Sequence, residues 1–207
     1  MTTTSAMPTQ STVDQIFGTV LEGRTWRNLL YLFLSFPLGL VYFVVTITLL
    51  SIGVGTIVIV AGIPILIITF TLVRAFVAGE RVLLWKLLGA SIPAPSPRRR
   101  PPGLIDRMMS YLGDAHLWKG LVYLLLHFAF GVASFALVMG LIPASLGLLT
   151  MPLTYQLAPM TVGLERITTL DQAVLCCSAG AILALLSLHL LNLWAALWKR
   201  VGTALLT

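Results

Sequence analysis

The sequence predicts an all-α integral membrane protein: four transmembrane helices arranged as two parallel-repeat hairpins, with interfacial amphipathic helices beside them. Three observations lead there. Of the 207 residues 58% are hydrophobic and 10% charged, with a mean hydropathy of +0.98, whereas a soluble domain carries about 25% charged residues. Apolar runs reach about 20 residues, the length a helix needs to cross a hydrocarbon core. Finally, residues 26–55 resemble residues 118–147.

Four runs are long enough to span: Leu29 to Leu50, Gly53 to Val73, Leu121 to Ile142 and Ala173 to Ala195. At 1.5 Å per residue they measure roughly 32–35 Å, enough for a core of about 30 Å with modest tilt. Their uniform apolarity lacks the alternation of a barrel strand, so helices are the expected spanning form. The first 25 residues lack a basic start followed by an apolar core, so no cleavable signal peptide is expected and the first span directs insertion. Cys176 and Cys177, adjacent inside an apolar run, read as small packing residues rather than as a disulfide or metal site.

The basic residues set the expected orientation. With both termini cytoplasmic, twelve of the thirteen Lys and Arg lie inside and only Arg166 lies outside, a strong positive-inside bias. Trp26, Trp85, Trp118, Trp194 and Trp198 fall on the same side, where the amphipathic indole favours the headgroup layer. The net charge of +6 is therefore expected to face anionic headgroups on the cytoplasmic side of the cell's inner membrane, and nucleic acid is not an expected partner.

A shift of 92 residues aligns Trp26–Gly55 with Trp118–Gly147 and gives ten identities in thirty positions, among them Trp26/Trp118, Tyr31/Tyr123, Phe36/Phe128, Gly39/Gly131 and Phe43/Phe135. Leucine matches are common in such a composition; paired Trp, Tyr, Phe and Gly are not. Both copies start inside, so the repeat is parallel and implies a pseudo-two-fold axis along the membrane normal. The chain thus reads as a single membrane domain, residues 1–207, with repeat 1 at 13–93, a linker at 94–103 and repeat 2 at 104–207.

Amphipathic segments flank each hairpin. Val13, Ile16, Phe17, Val20 and Leu21 share one helical face before the first span, as do Ile105, Met108, Met109 and Leu112 before the third. After the second span "RAFVAGERVLLWKLLGASI" continues as an amphipathic segment, and after the fourth "NLWAALWKRVGTALL" does the same. "PAPSPRRRPPG" is a basic, proline-rich linker. Its Arg98, Arg99 and Arg100 read as a topology and lipid-binding element, or as a docking point for a cytoplasmic partner.

Outside, the first hairpin turns at "SIGVG", but about 30 residues separate the last two spans. A loop that long is uncommon without a function. Its apolar content predicts packing back onto the bundle, partly re-entrant, and makes it the candidate external sensing surface, with Glu165, Arg166 and Asp171 its charged residues.

Gly53, Gly55 and Gly62 lack the strand, helix start and acidic residue of a dinucleotide loop, and read as small residues at a turn and a helix contact. His127 and His189 carry more chemistry. Each lies nine residues from a Trp, Trp118 or Trp198, about 13 Å above the inner interface. Two imidazoles at one depth suit a haem or chlorophyll-type pigment, with Gly131 leaving room for the macrocycle. A proton-sensing pair and two hydrogen-bonded neutral histidines are the other readings, and the last is the default, so no cofactor is predicted.

The runs "TWRNLLYLFLSFPLGLVYFVVTITLLSIGVG" and "GIPILIITFTLVRAFVAGERVLLWKLLGASIPAP", followed by a second Trp-led hairpin, resemble the sensor domain of bacterial and archaeal membrane proteins. The likeness covers roughly residues 20–205, and Glu80 to Pro93 is its most specific part. That domain commonly precedes a histidine kinase module and also occurs alone. The resemblance implies the sensor fold. No kinase, receiver or DNA-binding module follows Thr207, so a stand-alone sensor working through a separate partner is expected.

No nucleophile with a base, no paired carboxylates within a span and no metal-spaced cluster appears, so no enzymatic activity is expected. The alternative is a small accessory or structural subunit of a larger transport or electron-transfer complex, the setting in which haem or a chlorophyll-type pigment would be held.

Overall fold

Three of the four apolar runs continue as helix beyond both ends that hydropathy assigns to them; the second, expected from Gly53 to Val73, begins only at Gly62, because Gly53 to Gly55 still belong to the preceding helix. The computed structural model describes residues 23–59, 61–90, 103–155, 160–162, 165–167 and 169–206. Its elements are α1 (Gly23–Gly55), a 3₁₀ turn (Ile57–Ile59), α2 (Gly62–Leu88), α3 (Leu104–Leu112), α4 (Ala115–Leu149), α5 (Met151–Thr154), strands β1 (Met160–Val162) and β2 (Glu165–Ile167), and α6 (Leu170–Leu206). Helices α1, α2, α4 and α6 are long and apolar enough to cross a membrane, so the protein is an all-α membrane protein. The amphipathic segment Val13 to Leu21, the basic run Arg98 to Arg100 and most of the linker at 94–103 lie outside the described residues.

The amphipathic segment expected after Val73 is the continuation of the span itself: α2 runs unbroken to Leu88. Its buried residues include Leu66, Phe70, Val73, Val77, Glu80, Leu84 and Leu88, a single 3.6-residue stripe that the charged residues Arg74, Arg81 and Lys86 do not interrupt. Gly89, at φ 63°, ends the helix, with its N–H bonded to the Trp85 carbonyl and that of Ala90 to the Leu84 carbonyl. This is the usual left-handed glycine stop. The segment after Ala195 likewise belongs to α6.

The first hairpin turns between Gly55 and Gly62, later than "SIGVG" suggests. A Cβ on Gly62 would lie 2.3 Å from the Gly53 carbonyl oxygen, so the turn needs a glycine there. In the second hairpin α4 continues through Pro143 to Leu149, which shortens the long outer loop. The remainder holds α5 and an antiparallel β1–β2 hairpin. Met151 packs with Ala173 against Tyr155 and Cys176, which ties the start of this loop to α6.

Helices α1 and α4 bury the same face. Their buried positions coincide after a shift of 92 residues: Thr25/Leu117, Asn28/Gly120, Leu29/Leu121, Tyr31/Tyr123, Leu32/Leu124, Ser35/His127, Gly39/Gly131, Tyr42/Ser134, Thr46/Val138 and Gly53/Ser145. The contacts between the two helices are reciprocal as well. Phe36 stacks on Phe135 at 4.8 Å and Phe43 on Phe128 at 4.6 Å. Gly39 lies against His127 and Phe128, while Gly131 lies against Ser35 and Phe36. These contacts fall along α4 as they rise along α1, so the two like surfaces pass in opposite senses. They meet across a two-fold axis perpendicular to the helices rather than the axis along the membrane normal that a parallel repeat implies.

A parallel repeat has α2 and α4 running in opposite senses, but at their crossing they run in the same sense. Arg74 meets Asp114, Val77 packs on Gly120, and Glu80 meets Tyr123, each step advancing along both helices. An ion pair and a hydrogen bond on either side of the Val77–Gly120 contact set this direction. Hydropathy and counts of basic residues carry no information about such pairings.

The tryptophans also divide. Trp26, Trp85 and Trp118 are exposed, as residues at an interface are, whereas Trp198 is buried and Trp194 is half-buried. Phe130 stacks on both, at 4.1 Å from Trp198 and 5.4 Å from Trp194. Two of the five indoles therefore pack inside the bundle rather than in a headgroup belt.

At the start of α4, Asp114 accepts a hydrogen bond from the His116 N–H as N-cap and pairs with Arg74 of α2 at 2.5 Å. Arg74 also lies 4.5 Å from the centre of the Tyr111 ring, so α2, α3 and α4 meet at one group. Asp114→Ala removes the cap and leaves Arg74 without this carboxylate. The expected loss is about 1–2 kcal/mol, measured by thermal unfolding in mild detergent, with Asp114→Asn, which keeps the capping oxygen, losing less.

Candidate functional site: a buried carboxylate held by four helices

Glu80 has no exposed surface, because it occupies the inward stripe of α2, three residues after Val77 and four before Leu84. A polar group in such a place must be hydrogen-bonded or lose several kcal/mol. Its partners come from the other spans. Tyr31 of α1 donates its hydroxyl to Glu80 Oε1 at 2.5 Å, and Tyr123 of α4 donates to the same oxygen at 3.3 Å. Trp198 of α6 donates its indole N–H to the Tyr31 hydroxyl oxygen at 3.0 Å. One carboxylate oxygen thus ends a donor chain that begins on α6 and passes through α1.

His127 completes the cluster. It is fully buried, with Nδ1 3.7 Å from Glu80 Oε1, beyond hydrogen-bond distance. Among the described residues neither of its ring nitrogens has a hydrogen-bond partner, and neither does Glu80 Oε2. Aromatic rings enclose it: Tyr42, Tyr123 and Trp198 have centroids 5.6–5.8 Å away and Tyr31 one at 6.4 Å. Chemically, the site is a hydrogen-bonded carboxylate with a spare oxygen, facing a base with two free nitrogens. It has the parts to hold a proton.

A second polar link lies nearby on α1 and α6. Asn28 donates to the Asn192 side-chain oxygen at 2.8 Å, and Asn192 donates to Thr25 Oγ1 at 3.1 Å.

The structure separates the two histidines that the sequence pairs. His189 is exposed on α6, two residues from each of the buried Ser187 and Leu191 and so on the opposite face, and its Nδ1 lies 2.9 Å from the carbonyl of Leu185 on its own helix. Equal distance from a tryptophan reports height along a helix and says nothing of the face. The room expected beside Gly131 for a macrocycle is filled by α1, since a Cβ there would lie 2.5 Å from the Ser35 carbonyl oxygen. His127 and His189 therefore do not face each other across a pigment pocket.

Of the outer-loop charges, Glu165 pairs with Val162 and Arg166 with Thr161 in the register of the β1–β2 hairpin, and Asp171 is exposed in the first turn of α6.

Sequence reasoning missed Glu80, Tyr31, Tyr123 and Trp198 as site residues. A signal existed for three of them. Tyr31 and Tyr123 are identical partners in the 92-residue alignment, and Glu80 falls in phase with Val73, Val77, Leu84 and Leu88.

Among protein families, the one described as "Putative sensor" matches residues 31–206, a stretch that contains every member of the cluster. No curated protein and no solved structure matches the chain.

Proposed function

The chain belongs to the Putative sensor family, and from that premise we propose that it is a non-enzymatic, membrane-embedded sensor that acts through a separate protein partner. Glu80 carries this reading: one buried side chain is bonded to α1 and α4, chained to α6 through Tyr31, and faces His127. A group that all four spans share is placed to register a shift in any of them. The stimulus displaces one hairpin against the other. The Tyr31–Glu80–Tyr123 bonds re-form in a second arrangement, and the partner reads the new helix ends.

The test fixes the α1–α4 contact. Phe36→Cys with Phe135→Cys, in a chain whose own two cysteines are replaced by Ala, is oxidised to a disulfide, and co-purifying chains are identified by mass after gentle solubilisation. A partner should be retained by the reduced form, and its amount should change at least severalfold on oxidation. Equal retention by both forms would sink the two-arrangement mechanism, and no partner in either form would sink the signalling reading.

A further inference from the structure

We propose that Glu80 and His127 together form a binding site for one proton, and that its occupancy sets how closely α4 packs against α2. This deepens the sensor reading above by naming the class of stimulus, while the site itself stands on geometry. Two buried groups of complementary chemistry face each other at 3.7 Å without bonding, and among the described residues His127 Nδ1, His127 Nε2 and Glu80 Oε2 lack hydrogen-bond partners. A buried polar atom left unpaired needs a physical account, and three at one locus share a single one. We assign this arrangement, in which Glu80 accepts from two phenols and His127 stands unbonded beside it, to the proton-free state of the site.

Adding one proton from bulk water to His127 Nδ1 makes an imidazolium next to the carboxylate. The pair becomes neutral overall, which favours occupancy where net charge is costly. A charge-assisted N–H···O bond closes to about 2.8 Å, so Nδ1 and Oε1 approach by roughly 0.9 Å. Because His127 lies beside the close contact of Gly39 on α4, that movement pulls on the α1–α4 interface.

The groups that face the pair are few. From α1 they are the hydroxyls of Tyr31 and Tyr42, and from α4 that of Tyr123; α6 presents the indole of Trp198. Arg81, the next residue on α2, turns away and donates to the Leu206 carbonyl oxygen at 2.6 Å. Among the described residues no other charged side chain enters the cluster, so the proton count of the pair decides its charge.

The experiment is a titration of the full chain in phosphatidylcholine vesicles, with ¹⁵N-labelled histidine observed by solid-state NMR over roughly pH 4–9. The three histidines are His116, His127 and His189, and the His127 signal is assigned by its loss in His127→Gln. His127 should pass from neutral ring to imidazolium in one step, and Glu80→Gln should require at least tenfold more protons for the same step. Tyr31→Phe, which takes a donor from the carboxylate, should require severalfold fewer. A His127 signal that stays neutral throughout in the wild type overturns the proposal without any variant, and a step unchanged in both variants does so too. The titration uses the chain alone, so its outcome is independent of whether a signalling partner is found.

Discussion

Glu80→Ala is expected to destabilise the folded protein by about 3–5 kcal/mol, the largest effect of any single side-chain truncation in the bundle. The substitution strands the hydroxyls of Tyr31 and Tyr123, which lose their acceptor in a place with no exposure. Leaving a buried donor unsatisfied costs about 1–3 kcal/mol each. Polar bonds between membrane helices are individually weaker, averaging about 0.6 kcal/mol, so two average bonds supply only about 1 kcal/mol of the expected total. The rest comes from the cavity left among Tyr31, Tyr123 and His127, where only small relaxation is available. Glu80→Gln keeps an acceptor oxygen and the volume, and should lose about 1 kcal/mol or less. Tyr31→Phe falls between, because it removes both the bond to Glu80 and the acceptor of Trp198. The order Ala, then Phe at 31, then Gln is checked by unfolding in mixed detergent and denaturant. Equal losses for Ala and Gln would show that neither the retained volume nor the retained acceptor supports the fold, and would defeat this account.

The same residue shows what was legible beforehand. Composition and run length were sufficient for four spanning helices, because burial in lipid demands nothing more specific than apolar length. Their ends were not legible at α2, where Arg74 lowers local hydropathy and disguises a stripe that continues through Val77, Glu80, Leu84 and Leu88. Phase carries that information and average hydropathy discards it. The 92-residue likeness marked Tyr31, Tyr123, Gly39 and Gly131, all of which are buried. It carried no instruction about which helix each would face, and so the direction of α4 against α2 was missed. Histidine chemistry drew attention to His127 and His189 together. Only His127 turns inward, and the group it faces is a carboxylate in the stretch read as an amphipathic segment.

Gly131→Ala is the second large effect, about 2 kcal/mol of destabilisation, and distances decide its size relative to other glycines. A Cβ at 131 would lie 2.5 Å from the Ser35 carbonyl oxygen and 3.0 Å from the Phe36 Cα, both backbone atoms that cannot rotate away. Helices α1 and α4 must therefore separate, opening the Phe36–Phe135 and Phe43–Phe128 stacks on either side. At the equivalent Gly39 the added carbon meets backbone at 3.0 Å, a contact that relaxes with a smaller shift, so Gly39→Ala should cost about 1 kcal/mol or less. Gly147 has nothing within 4 Å of an added Cβ. There alanine should stabilise by up to about 1 kcal/mol through helix propensity alone. Thermal unfolding of the three variants in one detergent separates these cases, and a loss at Gly147 as large as at Gly131 would defeat the packing account. Combining Gly131→Ala with Glu80→Ala should cost less than the sum, because His127 and Tyr123 on α4 already lose their seating when α4 moves out. The shortfall in that double mutant measures how far the α1–α4 contact and the buried carboxylate act as one element.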